Sequence, residues 1–225
     1  MIDRHYSWVA RTGNEGGSLL VCGAEAFADW TGGVFDEDWQ LDPACDQARA
    51  EVVLHPDDDE VEAGLLEFGP ERRHTGLVWQ MDGAGTAEIA VDADRTSLLV
   101  MRSWVGADHD GPRRHVTGSA ARDHHTVGEI DLPSGRIAVV WAATPADEVI
   151  DLPAALAAGR DTPIKLDLPG LVGIGALLPI RPGRYRIGHG DHQGADGRYA
   201  PAGPATGQGD WSCRWLRLVH HTDTE

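Results

Sequence analysis

Apolar and polar residues alternate over short stretches along most of the chain, and clusters of Gly, Pro, Asp and Asn separate those stretches at fairly regular spacing. A period of two is the signature of a strand with one buried face, and frequent turn residues accompany hairpins. The pattern predicts strands near residues 6–10, 18–22, 51–54, 65–68, 75–80, 86–91, 97–104, 127–132, 136–142, 164–168, 183–187 and 211–221. Helical spacing is rare. Residues 24–30 place Phe27 and Trp30 three apart on one helical face, and the Ala-rich stretch 152–158 is followed by Gly159, a C-terminal cap. The expected fold is mainly β (α+β with few short helices), built of antiparallel sheets.

An internal echo points to two similar β lobes. Glu88-Ile89-Ala90-Val91 with Leu98-Leu99-Val100-Met101 resembles Glu129-Ile130-Asp131-Leu132 with Ile137-Ala138-Val139-Val140, each reading as a short strand, a polar turn and a more apolar strand. The division expected from it is an N-terminal lobe over residues 1–105 that carries an acidic tract, a connecting loop over 106–125, and a C-terminal lobe over 126–225. A second long loop, 188–209, is rich in glycine. Loops of this length belong to functional or mobile segments more often than to simple connections.

Charge changes this picture. The 225 residues carry 19 Lys+Arg against 36 Asp+Glu, a formal net charge of -17. A hydrophobic fraction of 41% in a chain this long supports a sizeable core despite the charge. The acidity is uneven: residues 1–70 hold sixteen acids and three bases, and residues 36–71 hold thirteen acids with Arg49 as the only base. A surface of this sign repels nucleic-acid phosphates, so a basic protein is the better partner. No apolar run follows the polar start 1–8 as in a signal peptide, and the most apolar tract, 168–180, is too short and too broken by Gly and Pro to cross a bilayer. The tract therefore predicts no membrane partner, and Cys22, Cys45 and Cys213, odd in number and far apart, argue for reduced structural thiols in a cytoplasmic chain.

Candidate chemistry is sparse. His189, Asp191 and His192 in one glycine-rich stretch, with His109, Asp110 and His115 in the other, are raw material for a metal site assembled from two loops, although no spacing matches a metal motif. His124-His125 and His220-His221 read as exposed pairs. There is no Gly-x-Ser-x-Gly elbow and no phosphate-binding glycine loop. Of the eight tryptophans, Trp79, Trp104, Trp141 and Trp215 lie in apolar strand-like runs and read as core. Trp39 differs, because Asp36, Glu37, Asp38 and Asp42 surround it: an aromatic in an acidic loop either anchors a basic partner or packs down as a plug. Asp57, Asp58, Asp59, Glu60 and Glu62 form the densest acidic element, readable as a solvated face or as a docking surface for a cationic protein.

Trp8-Val9, Gly16-Gly17-Ser18-Leu19-Leu20, the 24–27 segment, Trp30 and Gly32 resemble the opening of the immunity protein 21 family of bacterial polymorphic toxin systems. Asp36-Glu37-Asp38-Trp39 with Ala44-Cys45-Asp46 is similar to the acidic-aromatic and Ala-Cys element that follows there. Pro182-Gly183-Arg184-Tyr185-Arg186-Ile187 and Trp215-Leu216-Arg217-Leu218 continue the likeness. Ser18 stands where the family has proline. The resemblance implies a non-catalytic antidote without cofactor that binds and blocks a cognate protein toxin. On this expectation Asp36, Glu37, Asp38, Trp39, Asp57, Asp58, Asp59, Glu60 and Glu62 form the partner-binding surface, with no catalytic and no metal-binding residues. The alternatives are a metal-dependent enzyme that uses the His-rich loops and a carbohydrate-binding β-sandwich that uses exposed tryptophans.

Overall fold

The computed structural model describes residues 5–38, 40–56, 60–81, 83–105, 110–118, 123–166, 173–193 and 211–221. Twelve strands are described: β1 (Tyr6–Asn14), β2 (Ser18–Gly23), β3 (Ala63–Phe68), β4 (His74–Gln80), β5 (Gly85–Asp92), β6 (Ser97–Val105), β7 (His125–Leu132), β8 (Arg136–Trp141), β9 (Thr162–Ile164), β10 (Gly175–Pro179), β11 (Gly183–His192) and β12 (Trp211–His220). The helices are short: α1 (Ala24–Phe27), α2 (Asp46–Leu54), α3 (Gly111–Thr117) and α4 (Leu152–Ala157). The strands form two six-stranded sheets in the orders β1-β5-β6-β12-β11-β7 and β3-β4-β2-β8-β10-β9. All the ladders are antiparallel. The chain is therefore mostly β, with two antiparallel sheets and few short helices.

Both sheets repeat one plan. Pairing β1 to β6 with β7 to β12 in order turns each half of either sheet into the other, read from opposite ends. The halves meet through β6 and β12 in the first sheet and through β2 and β8 in the second, where Val21 faces Val139. A register irregularity recurs as well: the ladder skips Val9 in β1 and Val127 in β7, and both valines pack on the core. β1 to β6 precede the expected 106–125 connection and β7 begins at its end, and each sheet takes three strands from each of these two sets of six. The echo read between 88–101 and 129–140 joins unlike elements. β5 and β6 form a hairpin within one sheet, whereas β7 and β8 lie in different sheets, as do β1 and β2.

Three apolar layers hold the sheets. Leu19, Val21, Leu77 and Val139 of the second sheet meet Ile89, Val100, Ile187 and Leu216 of the first between the sheets. The opposite face of the second sheet, with Leu20, Val78, Ala138 and Val140, is covered by Phe27, Trp30, Ala50, Leu54 and Leu152 from α1, α2, α4 and the segments beside them. The outer face of the first sheet places Leu99, Met101, Cys213 and Trp215 beneath Val116 of α3. Central strands covered on both sides lose the alternation: β2 is buried from Ser18 through Cys22. At 1.5–3 kcal/mol or so for each large side chain taken from water, these layers dominate the stability.

Residues 51–54, expected as a strand, belong to α2. The Val52-Val53 pair imitates a strand, but Cys45 caps the helix, its Sγ accepting from Ala48 N at 3.4 Å. The expected 106–125 loop contains α3. β11 extends to His192, so His189 and His192 stand on a strand and not in a loop. β10 escaped the pattern because it lies in the Gly- and Pro-interrupted tract. Gly175 is required there, since a Cβ would meet the backbone of Val139 and Val140.

Candidate functional site

Two regions concentrate chemistry. The first is the connection from β2 to β3, residues 24–62, which holds thirteen acids and one base. Trp30, 2% exposed, roots it: the indole Nε1 donates to Ala142 O at 2.8 Å, and the ring meets Phe68 edge-on at 5.1 Å. Asp46, fully buried at the start of α2, accepts from Thr31 N (2.9 Å) and Thr31 Oγ1 (3.0 Å) and pairs with Arg49 at 3.0 Å. A carboxylate at a helix N-terminus also meets the positive end of the helix dipole. Asp46 is thus a fastening between the loop and α2 rather than surface charge.

Between these anchors the loop runs outward. Gly33 N donates to Ala143 O (3.0 Å), Asp42 N donates to Val34 O (2.7 Å), and Phe35 bridges Leu41. Asp36 Oδ1 accepts from Asp38 N (2.9 Å) and Gln40 N (2.8 Å), closing the turn. Asp36, Glu37, Asp38 and Glu60 are exposed. Trp39, Asp57, Asp58 and Asp59 lie outside the described residues. Glu62 has a different setting: its Oε2 is 3.0 Å from His189 Nδ1 and its Oε1 is 3.4 Å from Arg214 Nη2. The contact with His189, with the charge of Arg214 added to it, holds the Glu62 carboxyl below the usual carboxylate range against the opposing effect of burial. Its charge is already answered within the chain, so Glu62 ties the end of the acidic connection to the first sheet.

Sequence reasoning missed Val34 and Phe35. They are 47% and 46% exposed and line a groove of about 580 Å³ with Trp30, Pro145, Asp147 and Glu148. The available signal was an apolar pair between Gly32-Gly33 and the acidic run.

The second region is a histidine and tryptophan cluster on the outer face of the first sheet. His115 of α3 lies with its ring centroid 4.7 Å from that of His192, 5.4 Å from Trp211 and 5.6 Å from Trp215. His124 meets Trp215 at 5.9 Å and places Nδ1 3.2 Å from Asp191. Burial, then the nearby His192 and His124, lower the pKa of His115, which favours a neutral ring. His125 stacks on His189 at 5.0 Å, separately. Of the residues that sequence reasoning grouped as raw material for a metal, the fold therefore brings His115 against His192, whereas Asp191 meets His124. Among the described residues, however, no three His, Cys, Asp or Glu side chains are grouped so that they could hold a metal ion. His109 lies outside the described residues.

The Cys213 thiol is buried and pushed up to about 12 by desolvation, and burial raises the Cys22 thiol as well. Trp79 and Trp215 are buried core residues, as expected, whereas Trp104 and Trp141 are half-buried. Arg102 lies 4.9 Å over the Trp104 ring, and Trp141 Nε1 donates to Gly16 O at 2.6 Å. Among the described residues no helix is long and apolar enough to cross a membrane. Comparison of the chain with protein-family models, with curated proteins and with solved structures finds no match.

Proposed function

We propose that the chain is a non-catalytic immunity protein of the cytoplasm that binds a basic protein toxin and covers the surface the toxin uses. The observation that carries this reading is the 24–62 connection: its sequence holds thirteen acids against Arg49, Trp30 and Asp46 fasten its described part to the rest of the chain, and Asp36, Glu37, Asp38 and Glu60 are turned to solvent. Fixed negative charge on a pinned loop steers a cationic protein and aligns it on arrival, whereas charge on a loose tail steers without aligning. The resemblance to the immunity protein 21 family supports the same reading. Inhibition follows by occlusion, because a cleft filled by carboxylates excludes an anionic substrate.

The test is rescue. Proteins encoded beside this chain in its native genome are expressed in a sensitive host with and without it. The expected result is one basic neighbour that arrests growth alone and is neutralised by this chain, with affinity falling as salt rises. A toxic neighbour that this chain does not neutralise, or a set of neighbours of which none is toxic, overturns the reading.

A further inference from the structure

The groove beside the acidic loop has a shape and a charge that point to one kind of occupant. Its wall is Val34 and Phe35, its floor Trp30 and Pro145, and its rim Asp147 and Glu148. Large exposed apolar side chains are few among the described residues: Val34, Phe35, Val52, Val61 and Ile150. Two of these five stand side by side in this wall.

They are not there for want of a place to fold away. Val34 O accepts from Asp42 N at 2.7 Å, Phe35 bridges Leu41, and Gly33 N donates to Ala143 O at 3.0 Å, so turning either side chain inward breaks backbone hydrogen bonds. Gly32, at φ 63, presses against the backbone of Thr144 and Pro145 where no Cβ fits, which locks the loop to the turn opposite. An apolar pair displayed by a pinned backbone has no ordering cost left to meet when something binds it.

Charge selects what binds. Residues 28–42 and 145–151 contain eight acids and no base. One of them, Asp29, is already partnered, by His74 at 2.7 Å and Arg73 at 3.2 Å. Asp147 and Glu148 are exposed on the rim. Apolar wall and acidic rim together suit a side chain with an apolar stem and a cationic, planar tip, which describes arginine better than lysine.

We propose that this groove seats an arginine from a basic protein partner, flanked in the partner by an apolar residue that rests on Val34 and Phe35. The proposal rests on the immunity reading for the partner being a protein, and it moves the anchor from the dense acids around residue 60 to the apolar wall at Val34 and Phe35.

The experiment uses a defined probe, an acetylated and amidated Arg-Leu-Arg-Leu-Arg peptide, titrated into the isotope-labelled full chain and followed by amide NMR shifts. Saturable shifts should concentrate at residues 31–36 and 145–150. Phe35→Ala and the pair Asp147→Asn/Glu148→Gln should each weaken binding about tenfold. The pair Glu129→Gln/Asp131→Asn, which removes as much charge on the other sheet, should change it less than about twofold. Binding that Phe35→Ala leaves intact, shifts spread evenly over the acidic surface, or a Glu-Leu-Glu-Leu-Glu peptide that binds equally well would each overturn the proposal. Dispersed spectra establish that the variants are folded. Peptide binding here without growth rescue removes the immunity reading and keeps the groove; rescue without peptide binding does the reverse.

Discussion

The two halves of the chain share a strand plan and differ most in one connection. Between β2 and β3 the N-terminal half spends residues 24–62, with α1, a long loop and α2, whereas between β8 and β9 the C-terminal half uses residues 142–161, with α4 as its helix. The first carries thirteen acids and one arginine, and the second carries four acids and Arg160. Where the strands coincide the residues serve the shared core; where the connections differ, the long one holds the charge and the exposed Val34 and Phe35.

Some fastenings belong to both connections. The last residue before the edge strand is an acid in each, Glu62 and Asp161, and each meets an arginine from the first sheet or its turns. Asp161 pairs with Arg95 at 2.8 and 3.0 Å, and Glu62 with Arg214 and His189. Both connections thus clamp an outer strand of one sheet onto the other sheet.

The largest effect tests whether the acidic connection belongs to the cooperative core. Trp30→Ala removes a buried indole and its bond to Ala142 in the opposite half, and should cost about 3–5 kcal/mol in denaturant unfolding. A loss below about 1 kcal/mol would mean that the connection melts separately from the sandwich.

A smaller effect tests the clamp. Because the folded pKa of Glu62 is lowered, its ion pair stabilises the fold fully above the unfolded carboxylate value, and the contribution fades as pH falls through the folded value. Glu62→Gln should therefore cost about 1 kcal/mol near neutral pH, with the gap from wild type closing on acidification below about pH 4.5. A gap independent of pH would show that packing, not charge, joins Glu62 to the first sheet.

The smallest concerns the short connection. Asp151 precedes α4 in a left-handed conformation, φ 51, and its side chain makes no capping bond to the helix. Asp151→Gly removes the steric cost and should raise stability by about 0.5 kcal/mol, the relief exceeding the added freedom of the unfolded chain. An unchanged or lower melting midpoint would indicate that the carboxylate contributes elsewhere.

Most of the strands were legible because one-sided burial writes alternation into the chain, as in β7, where Ile130 and Leu132 are buried and Glu129 and Asp131 are exposed. Alternation misleads where a helix contains Val52-Val53, and it is interrupted where Gly175 serves a close approach. The repeat was harder to read, since it resides in strand order and in the matched irregularities at Val9 and Val127, not in residue identity. The acids were visible as a run, but sequence could not separate the turned-in Asp46 and Glu62 from the exposed Glu37 and Asp38. That distinction depends on Thr31, Arg49, His189 and Arg214, distant partners that only folding brings close.

The meeting of the halves along β2 with β8 and β6 with β12 bears on how the molecule assembles. Split apart there, each half would present two unpaired edges made of its most apolar strands, an arrangement that invites pairing with any similar edge. Joining the two halves in one chain keeps each at high effective concentration around the other. The pairing of β2 with β8 and of β6 with β12 thereby covers those apolar edges within one chain.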